Sequence, residues 1–348
     1  MPRRYLPIIV SAVLLVSCSG RDRYIQLGGY AQGGTYAVKL NAKGVRVRPE
    51  VMQQTVDSLL HEIDFTLSGY NKASLLSRLN AGETITPNRM LCEVYDISRK
   101  FYDESQGALD VSSGPLFDIW GFGFREGEMP SADEVLSARQ RCGMDRLKPT
   151  MEEALRPDGT LCAQDLLVDS SAEAPTLNFN AIAQGYSSDV IADYLHSLGV
   201  HDMLVDIGEI YCEGLNASGK PWGVGLDRPE DGNFTPGADL EGVWHSSGGE
   251  GQGIVTSGNY RKFYVRDGRK YSHTIDPRVG EPVQHNLLSA TIVAADATTA
   301  DAVATWCMVV GLEESESIMV SHGYEGCLIY DDGGSNAIWQ TAGFRLEQ

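Results

Sequence analysis

Apolar and polar residues alternate along this chain in two different rhythms. Tyr36 to Leu40 (YAVKL) alternates with a period of two and predicts a strand. Residues 50–66 repeat their apolar positions at helical spacing instead, through Val56, Leu59, Leu60 and Ile63. A second helix is expected over about 88–104, with Met90, Leu91, Val94, Ile97 and Phe101 on one face. Ser131 followed by Glu134 has the form of a capping box and predicts a third helix start. Between these two helices, Gly114 to Gly127 reads as a Gly-rich aromatic loop containing PLFDIWGFG. A further helix is expected from near Ala181 to just before Gly199, which suits the C′ position.

Met203 to Ile207 reads as a buried strand, and after Trp222 the pattern turns to short strands (WGVGL, GIVTS, LSATIVA) separated by turn residues. Asp267-Gly268 marks a hairpin within RKFYVRDGRKYSH. Helices over about 298–310 and 312–322, the strand CLIYD and a short hairpin complete the chain. Helices and strands mix without a strict βαβ alternation. That favours an α+β (mixed α/β) architecture over a doubly wound sheet.

Composition adds limits to this picture. With 42% hydrophobic and 22% charged residues, the chain can bury a sizeable core, which excludes a disordered protein. The 47 acidic residues outnumber the 28 basic ones, and the formal net charge is −19. Nucleic acid is therefore an unsuitable partner, because its phosphates would be repelled rather than neutralised. Small phosphate-bearing molecules remain open, held by a metal ion or by backbone N–H groups. The 38 glycines point to tight turns and close backbone approach.

The N-terminus suggests a compartment. Arg3 and Arg4 precede a largely apolar stretch, Leu6 to Val16, too short to span about 30 Å of hydrocarbon but suited to a signal peptide. Leu15-Val16-Ser17-Cys18 resembles the lipobox of bacterial lipoproteins; an ordinary secretory signal with a chance cysteine is the other reading. The resemblance implies a signal peptide over 1–17, a lipid-bearing (palmitate-type) Cys18 and a tether over 18–29. It places the protein at a bacterial cell envelope, anchored by lipid and facing the periplasm or exterior. None of the six remaining cysteines falls in a CxxC spacing, and Cys307, in an apolar helical run, is expected to be a buried thiol.

Several nucleotide and hydrolase motifs are absent, including Walker A, GxSxG and HExxH. The glycines from Gly248 to Gly253 precede a strand-like segment, so they read as a hairpin loop rather than a dinucleotide turn. His273 and Asp276 flank a Pro-terminated turn, and a histidine beside a carboxylate can act as a general base. Asp301 and Thr305, at i and i+4 on a predicted helix, offer hard oxygens for Mg²⁺ or Ca²⁺. The plainer alternative is a capping box between Thr298 and Asp301, with Thr305 bonded back into its helix.

In order and wording, these segments resemble the FAD:protein FMN transferases, the ApbE family, over about residues 33–311. Gly33-Gly34-Thr35-Tyr36 is similar to the family's opening strand, and Ser68-Gly-Tyr70-Asn-Lys-Ala-Ser74-Leu-Leu-Ser77-Arg-Leu-Asn80 to its serine-rich segment. Asp110 with Gly114-Pro115-Leu116 and Trp120-Gly121-Phe122 resembles the D-x-x-x-G-P-L-x-x-x-W-G-F segment, and Asn178 to Tyr186 a later element. Thr256-Ser257-Gly258-x-Tyr260 and Ser272-His273-Thr274-Ile275-Asp276-Pro277 resemble the T-S-G-x-Y and S-H-x-I-D-P signatures.

The resemblance implies a single domain over 30–348, two-lobed, with mixed sheets flanked by helices around a flavin cleft. It implies transfer of FMN from FAD to a Thr or Ser hydroxyl of a client flavoprotein, with release of AMP. Clients would be subunits of membrane or exported redox systems. Mg²⁺ would be held by Asp301, Thr305 and the backbone carbonyl of Ala181, and His273 would be the base, with Asp276 orienting its ring. Flavin contacts map onto Gly33, Tyr70, Ala108, Leu109, Asp110, Asn178, Gln184 and Ile275. Asn178 stands where the family usually has Asp, Gln184 where it has Lys or Glu, and Gly208-Glu209 where it has Gly-Gly. These departures keep a second function class open: a flavin-binding lipoprotein or carrier with at most slow FAD pyrophosphatase activity.

Overall fold

The two periodicities resolve into a sheet with helices packed on one face. The computed structural model describes residues 22–122, 129–233 and 235–347. The expected signal peptide, Cys18 and residues 123–127 of the aromatic loop lie outside them.

The chain opens with a hairpin, β1 (Tyr24–Ala31) and β2 (Gly34–Asn41), turned by Gln32 and Gly33, both at positive φ. A helical region follows: α1 (Pro49–Leu67), α2 (Leu75–Asn80), α3 (Arg89–Glu104), α4 (Gly114–Ile119), α5 (Ala132–Arg139), α6 (Met151–Ala154) and α7 (Ala183–Ser197). Strands then dominate, with β3 (Met203–Asp206), β4 (Ile210–Glu213), β5 (Gly223–Asp227), β6 (Leu240–His245) and β7 (Gln252–Gly258). Shorter ones come next, β8 (Phe263–Arg266), β9 (Arg269–Ser272), β10 (Ile275–Asp276) and β11 (Glu281–Pro282), before the long β12 (Leu287–Ala294). The chain ends with α8 (Ala297–Val310), α9 (Leu312–His322), β13 (Glu325–Asp331), β14 (Asn336–Gln340) and β15 (Leu346–Glu347).

Among the described residues, eight strands form one sheet in the order β1-β2-β3-β4-β7-β12-β13-β14. Strand side chains alternate between faces, and the alternation divides two cores. Val205, Val255, Ile292 and Leu328 point into the large core beneath α1, α3, α7 and α8. Their chain neighbours Leu204, Ile254, Val293 and Cys327 point into a smaller core under the sheet β15-β6-β5. A third cluster joins Leu116, Trp120 and Phe122 to Ile275. Helix α8 is apolar nearly all round and buried along most of its length, as its sequence demands.

The α+β expectation holds, as do the capping box at Ser131, the Asp267-Gly268 hairpin and the buried Cys307. Four expectations are corrected. Every pair of named strands is antiparallel rather than mixed; β12 and β13, for instance, are joined by two successive helices that bring the chain back to the same end. The tether expected over 18–29 is too long, because Tyr24–Ala31 is a strand paired residue by residue with β2. Its glycines disguised it; a Cβ at Gly29 would lie 2.8 Å from the Tyr36 ring. Gly114–Ile119 is a helix with Pro115 in its first turn, where a missing N–H costs nothing. Gly248–Gly251 does not turn a hairpin but carries the chain from β6 in the small sheet to β7 in the large one.

Candidate active site

The serine-rich segment after α1 folds into an interlocked turn. Ser68 Oγ accepts from the Tyr70 and Asn71 N–H groups, while Ser74 and Ser77 hydroxyls both donate to the Ser68 carbonyl. Ser74 also caps α2 by accepting from Ser77 N at 2.9 Å. The effect is to hold Tyr70 outward, 63% exposed, over a cavity of about 730 Å³. Gly33, Gln184 and His273 line that same cavity. Gly33 has φ of 82°, as the β1–β2 turn requires, and Gln32 ties the turn to α7 through the Ser187 hydroxyl.

Asn180 lines this cavity and also a smaller one beside it, of about 60 Å³. The smaller cavity is walled by Ala108, Leu109, Asp110, Asn178, Ala181, Ile275 and Thr305. The loop after α3 is built around Asp110, whose buried carboxylate accepts from Ser112 N and Oγ and from Gly143 N. Burial nonetheless pushes its pKa up. Asp110 therefore shapes the wall with its own carboxylate already satisfied. Asn178 is likewise engaged, its Oδ1 accepting from Asn180 N at 3.0 Å, and Asn80 pairs with both the N–H and carbonyl of Leu177. Trp120 Nε1 donates to the Gly280 carbonyl at 2.8 Å, joining α4 to the turn that carries Ile275.

His273 is positioned by backbone. Its Nδ1 lies 3.1 Å from the Lys262 carbonyl, which only accepts, so Nδ1 carries the proton and Nε2 is the basic nitrogen. Burial, reinforced by the Lys262 charge, pulls its pKa down to about 4. The ring is neutral at pH 7 and able to take a proton. The expected partner Asp276 plays no part in this, because its carboxylate is held by Arg278 through Nε and Nη2 at 2.8–3.2 Å. A bidentate arginine outcompetes a ring three residues away.

Asp301 is buried on α8, and its Oδ2 accepts from Gly185 N on α7 at 3.1 Å. Thr305 Oγ1, one turn on, lies 3.4 Å from Ser257 Oγ on β7. The capping-box alternative is not what forms: Asp296 caps α8, and the Thr298 hydroxyl donates to Asp189. Burial, with repulsion from Asp189, raises the Asp301 carboxyl well above the usual carboxylate range. Glu209 is raised for the same reason, first by burial and then by repulsion from Asp301 and Asp206. Among the described residues no cation pairs with Asp301. An all-oxygen set with excess negative charge and no counter-cation fits a hard divalent ion such as Mg²⁺. Ala181 lines the cavity that Thr305 lines, consistent with a carbonyl joining the set.

Sequence reasoning missed Asn180 and Asp189, and read Glu209 only as a departure from the family pattern, not as a buried neighbour of Asp301. The i, i+4 spacing of Gly185 and Asp189, both turned toward α8, was a usable signal for the second of these. Gly208-Glu209 also resolves differently from expectation. Gly208, with φ of 95° and only 2.6 Å between a hypothetical Cβ and Gln184 Nε2, still supplies the close approach beside the site.

Comparison with known proteins agrees with this geometry. The family model described as the ApbE family matches residues 21–328. The FAD:protein FMN transferase of Vibrio cholerae is 31% identical over 341 residues, covering 95% of each chain. That of Escherichia coli K12 is 29% identical over 307 residues, covering 86% of this chain and 82% of its own. The crystal structure of Pseudomonas stutzeri flavinyl transferase ApbE, apo form, superposes with a TM-score of 0.78 at 31% identity, over 92% of this chain and 95% of that one. With nearly its whole length matched and its motif residues gathered around two adjoining cavities, the chain belongs to the ApbE family.

Proposed function

We propose that this protein transfers FMN from FAD to a Ser or Thr hydroxyl of a client flavoprotein, releasing AMP, with Mg²⁺ as its cation. One observation carries the reading. The residues implied by sequence come from segments some 270 positions apart, yet all but Asp301, which is buried one turn from Thr305, line two cavities that share Asn180. A volume of about 730 Å³ lies in the range of small-molecule sites, roughly 300–1,000 Å³. Its relatives' names supply the reaction class.

The chain's own groups have clear tasks. Tyr70 offers a ring face for stacking against the cofactor. His273 Nε2 takes the proton from the client hydroxyl as its oxygen forms a bond to the FMN phosphorus; the pyrophosphate P–O bond breaks and AMP departs. Asp301, Thr305 and the Ala181 carbonyl would hold Mg²⁺, which supplies charge neutralisation at the pyrophosphate. Gln184 and Asn178 act as amides: Asn178 fixes the turn to Asn180, while Gln184 lies against the Ile207 carbonyl. We place the protein at a bacterial envelope, lipid-anchored through Cys18; among the described residues no helix is long and apolar enough to cross a membrane.

The test is incubation of the purified protein with FAD, Mg²⁺ and a peptide bearing a flavinylation Ser or Thr, followed by mass spectrometry. An FMN adduct with stoichiometric AMP is expected. FAD recovered bound and unchanged under all metal conditions would instead favour a flavin-binding lipoprotein or carrier.

A further inference from the structure

A second cluster of ligating side chains sits at the far end of α7. From Gln184 in the cleft to His196 the helix advances about 18 Å. There His196, His201 in the turn before β3, and Glu213 at the end of β4 converge, with their ligating atoms within 4.8 Å of one another. Glu213 Oε2 lies 2.5 Å from His196 Nε2, and Oε1 lies 2.9 Å from His201 Nδ1. The Glu213 side chain is 14% exposed, His196 31% and His201 72%, so the cluster is anchored on one side and open to solvent on the other.

The surrounding chain is built to allow this convergence. At Gly214, a Cβ would lie 2.3 Å from Asp202 Oδ1 and 2.4 Å from the His201 carbonyl, so glycine lets β4 end against the His201 turn. At Gly251, a Cβ would lie 1.9 Å from the Tyr211 hydroxyl. That hydroxyl donates to Glu213 Oε2 at 3.2 Å, which gives the glycine-rich crossover a purpose the cleft does not explain. Asp193 stands 4.0 Å from His196 Nδ1, within reach of the ring's outer nitrogen.

We propose that His196, His201 and Glu213 form a site for a divalent transition-metal ion of the Zn²⁺ class, separate from the hard-cation site at Asp301. Two imidazoles and one carboxylate make a borderline nitrogen–oxygen set that selects Zn²⁺, Ni²⁺ or Co²⁺ over Mg²⁺. Bonds of about 2.0–2.2 Å around a tetrahedral ion place ligand atoms about 3.3 Å apart, so these side chains need to open by less than about 1 Å. As the ion enters, each neutral ring exchanges the proton on its Glu213-facing nitrogen through solvent for one on its other nitrogen, and water completes the coordination on the exposed side. Tyr211 and Asp193 would orient the ligands from behind.

The test is Co²⁺ titration of the chelator-treated full chain, read by the visible d–d absorption that tetrahedral nitrogen–oxygen sites give strongly and all-oxygen octahedral sites give weakly. Wild type and Asp301→Asn should both bind one equivalent with this signature, which Zn²⁺ displaces and excess Mg²⁺ does not. His201→Ala, an exposed position, should weaken binding by at least about tenfold and leave Mg²⁺-supported flavin transfer unchanged. Glu213→Gln should do the same to binding, and His201→Ala keeps the test valid if that variant folds poorly. Absence of the tetrahedral signature in wild type, its loss in Asp301→Asn, or wild-type affinity in His201→Ala would each overturn the proposal.

Discussion

Gly185 brings α7 close against α8, and replacing it with alanine tests the centre of the proposed metal site. A Cβ there would stand 2.3 Å from the Ala297 carbonyl oxygen and 2.9 Å from Asp301 Cβ. To restore ordinary contact, one helix has to recede by about 1 Å. Overpacking of this kind costs about 1–3 kcal/mol. The same movement stretches the 3.1 Å bond from Gly185 N to Asp301 Oδ2, and bonds to charged groups contribute about 1.5–3 kcal/mol. A combined loss of about 2.5–6 kcal/mol in a cooperative unit of this size lowers Tm by roughly 4–9 °C. Because Asp301 is the group displaced, the Mg²⁺ concentration supporting half-maximal transfer should rise at least about tenfold, equivalent to about 1.4 kcal/mol of ligand misplacement. Thermal denaturation in chelator, paired with Mg²⁺ titration of transfer, measures both. Wild-type values in both assays would refute the idea that this glycine sets the helix spacing. A lowered Tm with an unchanged Mg²⁺ response would show that Asp301 does not serve the metal.

Other outcomes follow from the same geometry. His273→Ala should reduce transfer by at least about 100-fold, the usual scale of general-base catalysis, while FAD binding measured by fluorescence quenching stays near wild type. Because the folded pKa of His273 lies near 4, below the unfolded value, the unfolded chain binds more protons between about pH 4 and 6.5. Stability should therefore rise with pH across that window, and His273→Gln should flatten the rise in urea unfolding series. Asp301→Asn should abolish the Mg²⁺ response yet raise metal-free stability at pH 8, since it removes a buried unpaired charge. Asp189→Ala removes the acceptor for Ala297 N, Thr298 N and the Thr298 hydroxyl at the start of α8, and should cost about 2 kcal/mol in chemical denaturation.

Local patterns proved the most legible part of the chain. The capping box at Ser131, the αL Gly199 after α7 and the Asp267-Gly268 turn are each decided by a few adjacent residues, and each appears where the sequence places it. The motif segments were legible as chemistry for a related reason: Ser68 to Asn80 encodes a whole turn that aims Tyr70, and Asp110 to Ser113 encodes a cavity wall. What spacing cannot encode is partnership across the fold. Asp276 looked like the natural support for His273, but Arg278 claims it and a carbonyl eleven residues upstream of the ring does the orienting. Glu209 meets Asp301 across 92 residues of chain, and nothing in either neighbourhood marks the other. Strand β1 was hidden for a different reason. Gly28 and Gly29 carry no strand signal of their own, and their value lies in packing under Tyr36.

That first strand has a consequence for where the enzyme can work. With the proposed lipid at Cys18 and the sheet beginning at Tyr24, a fully extended link of six residue steps reaches about 20 Å at most. The β1 edge is then leashed within a few helix diameters of the bilayer surface, leaving no long arm with which to sweep the compartment. The cleft lies at the other end of that hairpin, beside Gln32 and Gly33, so under this proposal the length of β1 adds to the reach at which a client hydroxyl can be met.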